Sequence, residues 1–236
     1  MELTGRITQV ADLPRRSRDE MFRLIDRHFA GVRREAFEAD LDEKQCVIQL
    51  LDSATGAIQG FSTQVLWELE VEGRPVSVVY SGDTIVDRRH WGSSILARLW
   101  GRFVANLLEE RPESELVWFL ISKGFRTYRF LPLYFREFYP RHDRPTPPWP
   151  KAIIDVAARV KFADAYDQSA GIIRAGPNAC RLRGGVAEVT AARLTDPHVR
   201  YFAQRNSGHV SGDELCCLAP LRWENFTRAG RRMMAL

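Results

Sequence analysis

Apolar positions recur at intervals of three and four across residues 17–32, with Met21, Leu24, Ile25, His28 and Phe29 on one face. That spacing predicts an amphipathic helix. Ser17 followed by Glu20 gives an S-x-x-E signature for its start. The period then changes. Residues 45–51 form an apolar run closed by the turn residues Asp52-Ser53 and Thr55-Gly56. Residues 58–71 alternate, with Phe61, Thr63, Val65, Trp67, Leu69 and Val71 on one face, against Gln64, Glu68, Glu70 and then Glu72 on the other. Gly73-Arg74-Pro75 closes a hairpin onto a third strand, 75–86, rich in Val, Tyr and Thr. A helical period returns over 93–108 and Pro112 stops it. Residues 116–121 are apolar throughout, as in a strand buried on both faces. The aromatic-rich stretch 126–138 is predicted as a helix kinked at Pro132.

The stretch DRPTPPWPK, 143–151, carries four prolines and predicts a boundary or hinge. Beyond it the pattern predicts a helix over 152–166, short strands over 171–175 and 188–194, a helical turn or two over 197–204, a strand over 214–221 and a basic helical tail. The expected fold is α/β: a mixed, mostly antiparallel sheet flanked by helices, with an extra helical and loop insertion after the aromatic helix. One domain spans 1–236, with a core at about 17–141, an insertion or lid at 142–213, and a closing strand and tail at 214–236. There is no internal repeat.

With 45% hydrophobic and 27% charged residues, the chain can build an ordinary core without disulfide or metal staples. Cys46, Cys180, Cys216 and Cys217 include no C-x-x-C pair, and free thiols are expected. His28, His90, His142, His198 and His209 form no metal spacing, so no metal is expected. No signal core or membrane-length apolar run is seen, which predicts a cytoplasmic protein without a membrane span. The net charge of +4 is spread over Arg15, Arg16, Arg18, Arg88, Arg89, Arg228, Arg231 and Arg232. No nucleic-acid-binding motif accompanies it.

The junction that carries chemistry is 85–94, IVDRRHWGSS, where a strand passes through a loop of small residues into a helix. A helix start offers free backbone N–H groups and the positive end of the helix dipole, which suits phosphate. Gly92 lets backbone approach a ligand, and Ser93 and Ser94 are small and able to cap. Here the sequence resembles the GNAT acyltransferase superfamily, whose pyrophosphate loop reads R/Q-x-x-G-x-G/A. The matching residues are Arg89-His90-Trp91-Gly92-Ser93-Ser94, with Ser in the last position. The resemblance covers about 19–139, with 214–221 as a closing strand.

The resemblance implies transfer of an acyl group, acetyl or longer, from a coenzyme A or acyl-carrier-protein thioester to an amine of a small molecule or peptide. It implies a donor lying between strands 81–86 and 116–121, with backbone near Thr84, Ile85 and Val86 polarising the thioester, and Arg89, Trp91, Gly92, Ser93 and Ser94 holding its phosphates. A tyrosine after the second of these strands often protonates the leaving thiolate; Leu133-Tyr134-Phe135-Arg136 points to Tyr134, with Tyr128 and Tyr139 as rivals. Asp83, a carboxylate late in an apolar strand, is the candidate general base, because burial there raises its pKa. Glu68 and Glu70 are candidates for binding a cationic amine. The aromatic segment is read either as a doubly buried helix or as the lining of a fatty-acyl channel. Two other readings are a non-catalytic acyl-CoA-binding module of the same fold and a basic nucleic-acid-binding domain.

Overall fold

The computed structural model describes residues 2–234. In chain order its elements are β1 (Leu3–Gln9), α1 (Arg15–His28), β2 (Phe29–Ala30), α2 (Arg34–Asp42), β3 (Cys46–Asp52), β4 (Ile58–Val71), β5 (Arg74–Val86), α3 (Ile95–Glu110), β6 (Leu116–Ser122), α4 (Phe125–Tyr128), α5 (Phe130–Tyr134), α6 (Pro148–Phe162), β7 (Tyr166–Asp167), β8 (Ile172–Ile173), β9 (Arg181–Leu182), α7 (Pro197–Arg205), β10 (Glu214–Pro220) and α8 (Arg228–Met234). An eight-stranded sheet runs β1-β3-β4-β5-β6-β10-β8-β7, while β2 and β9 pair separately. Among the described strands, β5 and β6 form the one parallel pair, joined by the crossover helix α3. The expected mixed, mostly antiparallel sheet with flanking helices is what forms.

The sheet is packed on both faces. Leu96, Trp100 and Val104 of α3, Tyr128 and Leu131 of α4 and α5, and Met233 of α8 cover one face together with Trp118 and Leu120 of β6. The opposite face is covered in two parts: α1 and α2 lie over β3 and β4 through Met21, Leu24, Phe37 and Leu41, and α6 lies over β5, β6 and β10 through Ile153, Ile154 and Ala157. Burial on both sides explains the unbroken apolar run of β6. No helix among the described residues is long and apolar enough to cross a membrane.

Several sequence expectations are corrected. Pro14 stands at the N-cap of α1 and Ser17 lies inside the helix, so the S-x-x-E pair does not cap it. Glu20 instead accepts the Ile58 N–H at 3.0 Å and pairs with Arg16. The aromatic helix is broken into α4 and α5 and ends at Tyr134. From there the chain runs extended, because Phe135 and Tyr139 bridge to Phe226 and Leu218. The last prolines of 143–151 open α6 rather than exclude it, since Pro148 and Pro150 occupy its first turn, where no N–H is needed. Residues 188–194 form no strand. The hairpin turn is Glu72-Gly73, both at positive φ (50° and 77°), the twist that suits a two-residue hairpin. Cys46, Cys180, Cys216 and Cys217 are all free thiols.

Candidate functional site

The site begins where the parallel pair comes apart. β5 and β6 are in register from Ser77↔Leu116 to Ser81↔Leu120 and no further, although both strands continue. Beyond Ser81 the edge of β5 that faces β6 has no strand partner among the described residues, which leaves backbone polar groups open to a ligand. The other edge of β5 stays bonded to β4 through Val86↔Gly60.

Two devices fix the point of separation. The first is a β-bulge: Ser62 pairs with Thr84 and Gln64 with Ser81, so Gly82 and Asp83 stand opposite Thr63 alone. Gly82 suits this crowded position, since a Cβ would lie 2.7 Å from Thr63 Oγ1 and 2.8 Å from the Lys44 side chain and would force both to shift. The second is a polar ladder inside the α3 face. The Thr84 and Ser62 hydroxyls are 2.7 Å apart, Gln64 Nε2 donates to Ser62 Oγ at 2.7 Å, Ser81 Oγ donates to Gln64 Oε1 at 2.6 Å, and Trp118 Nε1 donates to Ser81 Oγ at 2.9 Å. Each polar group is satisfied by its neighbour, which is what allows it to be buried.

The bulge delivers Asp83 to the face covered by α2 and α6. Its carboxyl makes no hydrogen bond or ion pair among the described residues, and burial, reinforced by the Asp40 charge, pushes it up to about 6. Lys44 and Lys123 oppose that shift. Lys123 follows β6, and its Nζ lies 3.3 Å from Glu214 Oε1 at the start of β10 and 3.2 Å from both the carbonyl oxygen and Sγ of Cys180. Burial pulls the Lys123 ammonium down, but Glu214 and the Cys180 sulfur more than offset this and hold it charged. Burial raises Glu214. Tyr80 lies between these groups, stacked on Trp67 at 4.7 Å with Lys44 Nζ 5.6 Å from its ring centroid.

The exit of β5 leads into α3. Asp87 caps the loop through Arg89, which places its N–H, Nε and Nη2 on that carboxylate at 3.0–3.2 Å. Arg89 holds Asp87 down at about 2. The guanidinium of Arg89 is thus engaged within the loop. Ser94 stands at the N-cap of α3 without a side-chain cap bond, and Ser93 Oγ accepts only the Ile95 N–H, at 3.3 Å. The N–H groups of Gly92, Ser94, Leu96 and Ala97 donate to no protein acceptor among the described residues. A Cβ added to Gly92 would meet nothing within 4 Å, so open space lies before this backbone. Trp91 turns its Nε1 back onto Val86 O at 2.9 Å.

The remaining expected residues are spread out. Tyr134 ends α5 on the α3 face, half-buried and stacked on Phe130 at 5.9 Å. Its hydroxyl has no protein partner among the described residues, and burial raises its pKa. The rivals are committed elsewhere: Tyr128 donates to Pro140 O at 2.9 Å, and Tyr139 donates to Glu137 at 2.9 Å and is pushed up to about 12, first by burial. Asp83 and Tyr134 therefore lie on opposite faces of the sheet. Glu68 pairs with Arg111 and accepts from Ser77 Oγ at 2.7 Å, and Glu70 lies opposite Pro75 near the hairpin turn. Neither is brought to the bulge. The sequence reading missed Lys44, Lys123 and Glu214 around Asp83, and Arg126 near Trp91. A lysine directly after the apolar run of β6 was the available signal for Lys123.

No family model matches the chain, and no curated protein matches it by sequence. Among solved structures it is similar to a probable N-acyltransferase from Enterococcus faecalis, with 17% identity, a TM-score of 0.42, and 57% of this chain covered against 33% of that one. It is also similar to a GNAT family N-acetyltransferase from Escherichia coli in complex with CoA (17% identity, TM-score 0.39, 55% and 69% covered). A third is an acetyltransferase from Trypanosoma brucei (17% identity, TM-score 0.37, 62% and 98% covered). The chain thus spans about a third of the first of these proteins.

Proposed function

We propose that this chain is an N-acyltransferase of the GNAT type that moves an acyl group from a coenzyme A thioester to an amine. The observation that carries the reading is the opening of the parallel β5–β6 pair beyond Ser81 and Leu120, which leads to the unpartnered N–H groups of Gly92, Ser94, Leu96 and Ala97 at the start of α3. A thioester arm in that slot adds hydrogen bonds to the free edge at Thr84, Ile85 and Val86, and its diphosphate meets the positive end of α3.

In this reading Asp83 takes the proton of the attacking amine from the α2 and α6 side. A carboxyl near 6 is ionised at neutral pH yet basic enough to act. Free backbone N–H groups beside the bulge stabilise the tetrahedral oxyanion. Tyr134 protonates the departing thiolate from the opposite face. The acyl group is short, because Tyr128, Leu131, Phe135 and Phe138, the side chains suited to line an apolar channel, are consumed by the core. The donor is free coenzyme A rather than a carrier protein, and the acceptor is a cationic amine drawn to Asp83.

The test is a melting titration with free coenzyme A, acetyl-CoA and palmitoyl-CoA, followed by turnover with polyamine and lysine-peptide acceptors. A ligand that binds only the folded protein stabilises it by about 2.7 kcal/mol at a hundredfold excess over Kd. Acetyl-CoA should raise the melting temperature, and Tyr134→Phe should keep that shift while lowering kcat roughly 100-fold. No shift with coenzyme A or either thioester, and none with an acyl-carrier protein, would sink the assignment.

A further inference from the structure

The chain after α6 returns across the open end of the slot as a strap, residues 181–187. It is tied on one side to the end of α1: β9 pairs with β2, Arg183 N donates to His28 O at 2.8 Å, and Arg183 Nε donates to Asp26 O at 2.9 Å. On the other side two arginines hold it. Arg88 Nη2 donates to Gly184 O at 3.1 Å, and Arg126 Nε donates to Val186 O at 2.7 Å.

Those arginines belong to a stack. The guanidinium carbons of Arg88 and Arg126 lie 5.7 and 4.1 Å from the Trp91 ring centroid, and those of Arg126 and Arg193 lie 5.7 and 5.6 Å from that of Phe125. Arginine and aromatic ring therefore alternate from Arg88 through Trp91, Arg126 and Phe125 to Arg193. None of the three arginines has a carboxylate partner among the described residues, and each lies within reach of an aromatic ring shared with another of them. Burial and the like charges of Arg193, Arg88 and Arg129 lower the pKa of Arg126. A carbonyl oxygen satisfies a guanidinium N–H but supplies no counter-charge. The ring between Arg88 and Arg126 belongs to Trp91, the residue before Gly92, so the stack and the open N–H groups of α3 meet at one junction.

We propose that Arg88 and Arg126, backed by Arg193, form a second phosphate-gripping site at the mouth of the slot, and that phosphate groups take these arginines from the Gly184 and Val186 carbonyls and so release the strap. The inference rests on the donor reading above for the identity of the natural ligand. The exchange is favourable because phosphate supplies the counter-charge that a carbonyl oxygen lacks and pairs an ionised donor with an ionised acceptor. Arginine is also suited to bidentate phosphate contact. The cluster adds side-chain charge to a helix start that offers only backbone, and it makes the strap a gate opened by its own ligand.

The experiment compares binding of inorganic pyrophosphate, coenzyme A and dephospho-coenzyme A to the wild type, Arg88→Gln and Arg126→Gln, with amide hydrogen exchange followed over the strap. Each substitution should weaken pyrophosphate and coenzyme A binding roughly tenfold or more. Saturating ligand should speed exchange at 183–187 while slowing it in β5 and at the start of α3. Arg88 holds the strap by a single surface bond, so Arg88→Gln keeps the comparison valid even where Arg126→Gln folds poorly. Coenzyme A binding that is undiminished in both variants, or a strap that becomes more protected on binding, overturns this inference and leaves the acyltransferase reading standing. Arginine-dependent pyrophosphate binding without acyl transfer from any thioester supports the gate and overturns the reading it rests on. Absence of binding to all three ligands overturns both.

Discussion

Asp83→Asn should remove most turnover while making the protein harder to melt at neutral pH. A carboxyl held at about 6 rather than its ordinary 3.8 carries an ionised form disfavoured by the fold. The difference corresponds to at most ~3 kcal/mol, and solvent at this partly exposed side chain screens it to about 1–2 kcal/mol. The raised pKa fixes the direction. The native state is favoured while Asp83 is protonated, near pH 4 and below, and that contribution is lost as pH rises through about 6. Asparagine never ionises, so the variant should melt roughly 3–6 °C above the wild type at pH 7–8, and the gain should vanish toward pH 4. Turnover of the wild type should fall as pH drops below about 6, and the variant should lose about 100-fold or more in kcat/KM. Melting curves and rates on the same preparations across pH 4–8 check both halves. A variant that melts no higher at pH 8 than at pH 4, relative to wild type, would show that Asp83 is not held in its unfavourable form. A variant with full activity would remove it from the chemistry.

Lys123→Met should be among the most destabilising single changes at the site. The substitution removes the counter-charge of Glu214, whose carboxylate burial already disfavours. Breaking a fully buried pair by removing one partner costs about 3–5 kcal/mol; with the Lys123 and Glu214 side chains 12% and 21% exposed, solvent reduces this to about 2–4 kcal/mol, or roughly 4–16 °C in melting temperature for a chain of this size. Adding Glu214→Gln should recover much of the loss, since replacing both partners leaves no stranded charge. The penalty should also shrink as pH falls through the raised pKa of Glu214, because a protonated carboxyl needs no cation. A double variant as unstable as Lys123→Met alone would locate the cost in packing against Phe29 and the Cys180 carbonyl rather than in the lost charge.

These residues show where the sequence could be read and where it could not. β6 and α3 were legible because their burial patterns, on both faces and on one, leave period-specific traces in LVWFLIS and ILARLWGRFVANLLEE. Asp83 stood out as a carboxylate in an apolar strand. β1 and α2 were missed: β1 is an edge strand that buries little of either face, and α2 is short and buries only Phe37 and Leu41. Gln64 was placed on a solvent face by alternation, yet it is fully buried, because Ser62 and Ser81 satisfy its amide. Periodicity records whether a position is polar, not whether a partner waits for it. Lys123 and Glu214 become neighbours only through the pairing of β6 with β10, and Arg88 meets Gly184 only through the return of the strap. The aromatic surplus of 126–138 was legible as apolar but not as core, since its extended half bonds to residues near the end of the chain.

The pairing of β6 with β10 bears on the order in which the molecule assembles. β6 receives β5 on one side as soon as α3 has formed, but its other edge waits for β10, which leaves the ribosome only after α6, the strap and α7. Until then an unbroken apolar strand presents a row of unpaired backbone groups to solvent or to a chaperone. The nascent chain is most exposed to mispairing with other copies during that interval, and conditions that slow translation beyond α6 prolong it.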